Sequence, residues 1–225
     1  NSPNIVHADA DLDLAVSALV ARAFAQAGQS CISVQRIYAH EAILTEFTER
    51  MIRATEALKV GDPEDETVDV GPLITLEEAK RVENWIAEAV ADGAEILCGG
   101  KRQGPVVEPT LLSNVKPQMR VMCREVFGPV ASIVPYRTLE EAVAMANDTV
   151  YGLQAGIFTR DLEAVWYAVR RLEFGGVIIN DASSFRADLM PYGGVKESGI
   201  GREGPRYAVE EMTELRNVIF RLRQN

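Results

Sequence analysis

The sequence predicts an α/β fold with a mostly parallel sheet of βαβ type flanked by helices. Segments of strand length alternate with amphipathic segments of helical length along most of the 225-residue chain. This alternation is typical of βαβ units joined by right-handed crossovers. Hydrophobic residues make up 47% of the chain, which is enough for an ordinary core at this length.

The first half of the chain is predicted to hold three helices and two strands. Asp9 or Asp11 can cap a first helix, because apolar residues recur at intervals of three and four from Leu12 to Ala27, and Gly28 ends it. The other elements of this half are a strand near 36–39, a helix over 41–58, a polar loop over 60–72, a helix over 75–91 and a strand over 94–98.

The second half continues the alternation and ends in a loop and a strand. After a Gly-Gly turn and an extended stretch near 106–112, the pattern predicts strands over 130–136, 153–159 and 176–180 and helices over 139–146 and 162–172. Residues 191–204 contain five glycines and little periodicity, so we expect a loop there. Residues 213–223 alternate well enough for a terminal strand.

Charge and composition exclude several kinds of partner. The net charge is −10 and no run of Lys or Arg exceeds two residues, which disfavours nucleic acid or an anionic membrane as the main partner. No apolar stretch approaches the ~20 residues that span a bilayer, and the first residues do not resemble a signal peptide. Three widely spaced cysteines and two histidines predict no metal site and fit reduced thiols in the cytoplasm.

Cys31 is the candidate nucleophile. It follows the first helix in a Gly-Gln-Ser-Cys turn, where backbone N–H groups can favour a thiolate and stabilise an oxyanion. The alternative is a buried, inert thiol, which is the commoner state of an isolated cysteine. We expect structural roles for Cys98, at the end of a strand, and for Cys123, which lies among apolar residues.

Five motifs are distributed over essentially the whole chain. They are Ser2–Val6 with Asp9–Asp11, Gly28–Cys31, Glu125–Val130, Asn147–Asp148 with Tyr151–Leu153, and Gly193–Gly199 with Gly201–Glu203. Together, and in this order, they resemble the motifs of the aldehyde dehydrogenase family. The resemblance implies that residues 1–203 are the thiol-bearing catalytic domain of such an enzyme. It also implies that residues 204–225 form a helix and strand tail for oligomerisation, in a homodimer or homotetramer.

The resemblance also implies a mechanism and a cofactor, NAD or NADP. The Cys31 thiolate attacks an aldehyde, a hydride leaves the thiohemiacetal for nicotinamide, and water hydrolyses the thioester to a carboxylic acid. Glu125 would bind the hydroxyls of the nicotinamide ribose and Phe127 would pack near the nicotinamide. Without the resemblance, Glu125 is better interpreted as a surface carboxylate paired with Arg120 or Arg124, and Phe127 as a core aromatic.

Three residues are candidates for the wall of the aldehyde tunnel. Phe185 falls where the family places an aromatic side chain in that wall. Ser30 and Ile32 flank the nucleophile, where their side chains can shape the tunnel. These residues do not identify the aldehyde, so the substrate stays open at this point.

Arg186 is a candidate for binding an anionic group on the substrate. A guanidinium matches a carboxylate or phosphate as a fork, and Arg186 adjoins Phe185. The alternative is a structural ion pair of Arg186 with Asp181 or Asp188, which we consider slightly better supported by the sequence.

The resemblance further implies parts that lie before Asn1. The glutamate that activates the deacylating water, an asparagine of the oxyanion hole and the dinucleotide-binding domain are all expected there, and no Gly-rich phosphate loop replaces that domain. We therefore expect a fragment that is inactive by itself. Three functions stay open: a hydrolytic NAD(P)-dependent aldehyde dehydrogenase, a CoA-acylating relative that does not need the glutamate, and a non-catalytic oligomerisation fragment.

Overall fold

A seven-stranded sheet forms the centre of the structure, a computed structural model that describes residues 1–222. The strands of this sheet are β1 Ser2–Val6, β2 Val34–His40, β3 Glu95–Cys98, β6 Thr110–Ser113, β7 Val130–Tyr136, β8 Gln154–Phe158 and β9 Gly176–Ile179. Two short strands, β4 Arg102–Gln103 and β5 Val106–Val107, form a separate hairpin. The order in the main sheet is β3-β6-β7-β2-β1-β8-β9, and all neighbours are parallel except β3 and β6.

Helices cover both faces of this sheet. They are α1 Leu12–Phe24, α2 Leu44–Glu56, α3 Leu76–Ala91, α4 Arg120–Cys123, α5 Leu139–Asn147, α6 Leu162–Arg171 and α7 Pro205–Met212. Buried residues of α1, α2 and α3 belong to one hydrophobic cluster with Val6 and Ile37 of the sheet. Those of α5 and α6 belong to a second cluster with Ile5 and Tyr38. Adjacent strand residues thus serve opposite layers, as the two-residue period of a strand requires.

The predicted fold class is confirmed, with differences at individual elements. Asp11, not Asp9, caps α1, and α1 ends at Phe24 because the following residues turn into left-handed backbone. The sequence analysis missed β1 and α4 as regular elements, whereas α7 is a helix in the tail for which a helix and a strand were expected. Each is short, and β1 forms a strand only because β2 and β8 supply hydrogen bonds on both sides.

The expected terminal strand over 213–223 is not observed. Residues 213–222 form neither helix nor strand and are exposed, and Arg223 lies outside the described residues. A strand needs a neighbouring edge for its backbone hydrogen bonds, and this segment pairs with none of the residues that the structure describes. Across residues 1–222, no helix combines the length and the apolar character that a membrane crossing requires.

The parallel arrangement brings three sequence candidates to one edge of the sheet. Asn1 precedes β1, Cys31 precedes β2 and Glu125 precedes β7. These three strands are neighbours and parallel, so the residues that precede them lie at the same, amino-terminal edge.

Arg36 is a buried cation that ties this edge to the helical layer. It is 2% exposed and lies on β2. Its guanidinium donates to Tyr38 Oη at 3.0 Å, to the carbonyl oxygens of Met145 and Ala146 at 3.2 Å, and to Asn1 O at 3.3 Å. Two of these acceptors belong to the last turn of α5, where a cation also favours the helix dipole.

We expect Arg36→Met to lower the free energy of unfolding by about 2–4 kcal/mol, because it leaves buried carbonyl oxygens without donors. Urea unfolding followed by circular dichroism measures the change. Arg53→Met is the control, since Arg53 is mostly exposed and 4.0 Å from Glu49, and it should change stability by less than about 0.5 kcal/mol. Equal unfolding midpoints for the two variants would contradict this role of Arg36.

Candidate functional site

The Cys31 thiol is presented by a strained turn. The cysteine turn, residues 25–31, follows α1, and Gln26, Ala27 and Gly28 have φ angles of 53°, 55° and 71°. Left-handed backbone costs roughly 1–2 kcal/mol for a residue with a Cβ, so the turn at Gln26 and Ala27 is held by its surroundings. It redirects the chain from helix to strand within a few residues and leaves Cys31 exposed at the sheet edge.

The cysteine turn contacts the Glu125 loop, residues 124–129, which leads from α4 into β7. A Cβ on Gly28 would lie 2.1 Å from Gly128 O, so only glycine allows the two backbones to meet. Phe127 has a φ of 48° and is 41% exposed. The alternative interpretation of Phe127 as a core aromatic is therefore wrong.

Cys31 and Glu125 line the same cavity of about 190 Å³. The lining residues are Asn1, Ser2, Cys31, Glu125, Tyr151, Leu153, Phe174, Glu197 and Ser198. Glu125 is half-buried and forms no ion pair within residues 1–222. The alternative pairing of Glu125 with Arg120 is wrong, because Arg120 lies 3.4 Å from Glu88 instead.

A larger groove of about 1150 Å³ lies near the end of α2 and the β4–β5 hairpin. It is lined by Cys98 but by none of the candidate site residues. Burial raises the pKa of the Cys98 thiol, which disfavours the nucleophilic thiolate. We therefore place the site at the smaller cavity, where an exposed thiol and a carboxylate meet.

Tyr192 is a site residue that the sequence analysis missed. Its Oη lies 3.3 Å from Cys31 Sγ. Burial and the hydrogen bond to Cys31 raise the pKa of Tyr192, so its hydroxyl stays protonated and can donate to the sulfur when that is a thiolate. The two residues are 161 positions apart, and the only available signal was the presence of tyrosine in the glycine-rich loop, residues 191–204.

Arg186 joins this arrangement from the other side of Tyr192. Its guanidinium carbon lies 4.2 Å from the centre of the Tyr192 ring, a cation–π geometry, and Nη2 lies 2.9 Å from Glu203 Oε2. The expected ion pair with Asp181 or Asp188 is wrong, and Glu203 is the partner. The two side chains are 48% and 66% exposed, so water or a ligand can replace either partner of the ion pair.

The other wall candidates differ in accessibility. Ser30 is half-buried and Phe185 is 40% exposed. Ile32 is buried at 8% exposure, and none of these three lines the cavity that holds Cys31. The structure therefore brings Cys31 and Glu125 together directly, and leaves Ser30, Ile32 and Phe185 outside that cavity.

Three free thiols are present, in different environments. Cys98 is buried, as expected, whereas Cys123 is exposed and its Sγ lies 3.5 Å from Gln118 O. The expectation of a packed, structural Cys123 is not supported by this exposure. Within residues 1–222 no cluster of three metal-binding side chains occurs.

Comparison with known proteins gives consistent matches. A family model described as "Aldehyde dehydrogenase family" matches residues 1–218. The chain is 53% identical to 3-sulfolactaldehyde dehydrogenase of Priestia aryabhattai over 222 residues, which are 99% of this chain and 46% of that protein. The chain thus spans about half the length of the curated relatives it matches.

Two solved structures match the fold closely. Aldehyde dehydrogenase 21 from Physcomitrella patens, in complex with the reaction product succinate, superposes with a TM-score of 0.93 at 45% identity, covering 95% of this chain and 45% of that one. Glyceraldehyde-3-phosphate dehydrogenase from Methanocaldococcus jannaschii, complexed with NADP, gives a TM-score of 0.91 at 47% identity. The match covers 94% of this chain and 46% of that one.

We expect iodoacetamide to label Cys31 at least about tenfold faster than Cys98, because only the first thiol is exposed and beside a hydroxyl donor. The Cys123→Ser background removes the other exposed thiol, and mass mapping identifies the labelled site. Tyr192→Phe should slow the labelling of Cys31 without exposing Cys98. Preferential labelling of Cys98 would contradict the assignment.

Proposed function

We propose that this chain, which belongs to the aldehyde dehydrogenase family, is the thiol-bearing catalytic portion of an NAD(P)-dependent aldehyde dehydrogenase. Its proposed reaction oxidises an aldehyde to a carboxylic acid. The observation that carries the proposal is the shared cavity of Cys31 and Glu125. In this proposal residues 1–203 form the catalytic domain and residues 204–225 form a tail for oligomerisation.

Cys31 is the proposed catalytic nucleophile. Its Sγ adds to the aldehyde carbon and forms a C–S bond, and the carbonyl oxygen becomes the alkoxide of a thiohemiacetal. The Cys31 backbone N–H is the proposed donor to that oxygen. After loss of a hydride the product is a thioester on Cys31, which water cleaves to release the carboxylate and regenerate the thiol. Tyr192 Oη, which lies 3.3 Å from Sγ, is the proposed hydrogen-bond donor to the thiolate.

Glu125 and Phe127 are the proposed contacts of the cofactor. A half-buried carboxylate without an ion-pair partner in the described chain can accept hydrogen bonds from ribose hydroxyls. An exposed aromatic ring two residues later offers an apolar surface for a flat nicotinamide. These side chains therefore fit the nicotinamide end of NAD or NADP. When bound, NAD(P) supplies the hydride acceptor.

The proposed substrate class is a short aldehyde that carries an anionic group. Arg186 is about half exposed and stacks on Tyr192, whose hydroxyl reaches the Cys31 sulfur. Tyr192 therefore links Arg186 to the sulfur that would attack the aldehyde. The names of two matched proteins support this class, since sulfolactaldehyde and succinate are both anionic. Other relatives are lactaldehyde dehydrogenases, whose named substrate is neutral. Ser30, Ile32 and Phe185 are proposed to shape the approach to Cys31.

Self-association and a cytoplasmic location are further parts of the proposal. The segment 213–222 exposes several apolar side chains, which favours burial against another subunit in a homodimer or homotetramer. These side chains are Leu215, Val218, Ile219, Phe220 and Leu222. All three cysteines are free, which fits a reducing compartment.

The test of this function uses the enzyme expressed from its complete coding sequence. Aldehyde-dependent formation of NADH or NADPH should fall at least about 10³-fold in Cys31→Ala, because the covalent pathway is lost. Cys123→Ser, at an exposed thiol outside the cavity, should keep the wild-type rate. Activity that survives in Cys31→Ala would refute the nucleophile and the proposed function with it.

The anion site predicts a selective effect of Arg186→Ala. For anionic aldehydes kcat/KM should fall by about 10–150-fold, equivalent to about 1.5–3 kcal/mol for a lost charge-assisted hydrogen bond, and neutral aldehydes should lose far less. Glu203→Gln is the matched control, since it breaks the ion pair but keeps the guanidinium. If both variants impair both substrate classes equally, Arg186 has only the structural role.

A further inference from the structure

Gln35 contacts the backbone on both sides of Glu125. It lies on β2, four positions after Cys31, and is 4% exposed. Its Nε2 donates to Arg124 O at 2.7 Å and to Val121 O at 2.8 Å, and its Oε1 accepts from Val126 N at 3.1 Å. Two carbonyl oxygens face one end of the side chain and an N–H faces the other.

Two other polar side chains also donate hydrogen bonds to the backbone of the Glu125 loop. Asn1 Nδ2 also donates to Arg124 O, at 3.0 Å, and Arg81 Nη2 donates to Val126 O at 2.7 Å. The peptide groups before and after Glu125 therefore each have a partner outside the loop. Gln35 is the side chain that contacts both of these peptide groups, because it binds Arg124 O and Val126 N together.

We propose that Gln35 is a positioning residue that fixes the Glu125 loop relative to Cys31 and thereby sets how the nicotinamide cofactor is held. The inference rests on the proposed function, because Glu125 is assigned to the cofactor there. The physical reason is that the Glu125 loop is irregular and gains no ladder of backbone bonds from the sheet. A buried amide supplies both a donor and an acceptor, which neither a carboxylate nor an apolar side chain of this length can do.

A second buried glutamine provides a matched comparison on the same sheet. Gln154 lies on β8 and is 1% exposed. Its Nε2 donates to Ser183 O at 2.5 Å and to Phe185 O at 3.0 Å. It therefore contacts the segment that carries Phe185 and Arg186, not the Glu125 loop. Substituting Gln154 removes an equally buried amide but leaves the proposed cofactor side intact.

The experiment compares Gln35→Met with Gln154→Met and Glu125→Gln in the enzyme expressed from its complete coding sequence. We expect Gln35→Met to raise the Kd for NADH or NADPH, measured by fluorescence titration, at least about tenfold. In cofactor-free protein it should also speed amide exchange within residues 124–127 by a similar factor, because Val126 loses its acceptor. Iodoacetamide labelling of Cys31 should stay within about twofold of wild type.

For Gln154→Met we expect an unchanged cofactor Kd and a raised KM for the aldehyde. Glu125→Gln should weaken cofactor binding without speeding amide exchange at Val126. This variant therefore distinguishes the loss of a cofactor contact from a displacement of the loop. If Gln35→Met does not fold, Gln35→Glu is the second variant. It keeps the shape and the acceptor for Val126 N, but it replaces the donors with a carboxylate oxygen that faces the carbonyl oxygens of Arg124 and Val121. This repulsion should displace the loop, so we again expect a raised Kd and faster exchange within residues 124–127.

Three results would each overturn one of the two claims, the role of Gln35 or the proposed function. A folded Gln35 variant with wild-type exchange over 124–127 and a wild-type cofactor Kd refutes the role of Gln35 alone. Equal loss of cofactor affinity in the Gln35 and Gln154 variants also refutes it, because the effect would then follow from disturbing any buried amide. A wild-type enzyme that binds neither NADH nor NADPH refutes the proposed function itself.

Discussion

The close contact between Gly28 and Gly128 is the constraint on which the site depends. A methyl group on Gly28 would lie 2.1 Å from the Gly128 carbonyl oxygen, and one on Gly128 would lie 2.8 Å from Val82 of α3. The Glu125 loop is thus packed between the backbone of the cysteine turn and the Val82 side chain of α3, with no room for a Cβ at either glycine. Because the two backbones touch, Cys31 and Glu125 open into one cavity although 94 positions separate them along the chain.

The site lies at the amino-terminal edge of the parallel strands, whereas ligands of open α/β sheets usually bind at the carboxyl edge. The reason is local. The cysteine turn converts helix into strand through three consecutive left-handed residues, and the Glu125 loop enters β7 through Phe127, also left-handed. Non-glycine residues in this conformation store strain, and three of the six in the described chain, Gln26, Ala27 and Phe127, occur in the two segments that carry the candidate chemistry. The surrounding sheet and helices hold both segments in place.

Most elements were predictable because their signals are local. The strand over 130–136 follows from the hydrophobic residues of that segment alone. The helix that starts after Thr75 follows from its hydrophobic periodicity and from the capping residue Thr75. The terminal strand was predicted wrongly because alternation shows only that a segment could pair, and pairing depends on a neighbouring edge. Tyr192 beside Cys31 and Gln35 beside the Glu125 loop were missed for the same reason, since these contacts are set by the order of strands in the sheet.

Buried amides hold the proposed substrate side as well as the proposed cofactor side. Asn4 of β1 exchanges two hydrogen bonds with Ser183, accepting from its N–H at 2.9 Å and donating to its Oγ at 3.0 Å, and Gln154 donates to the carbonyl of Phe185. The backbone that leads to Arg186 is thereby attached to the centre of the sheet. Preference among aldehydes should therefore depend more on which side chains stand at Phe185 and Arg186 than on movement of the segment that carries them.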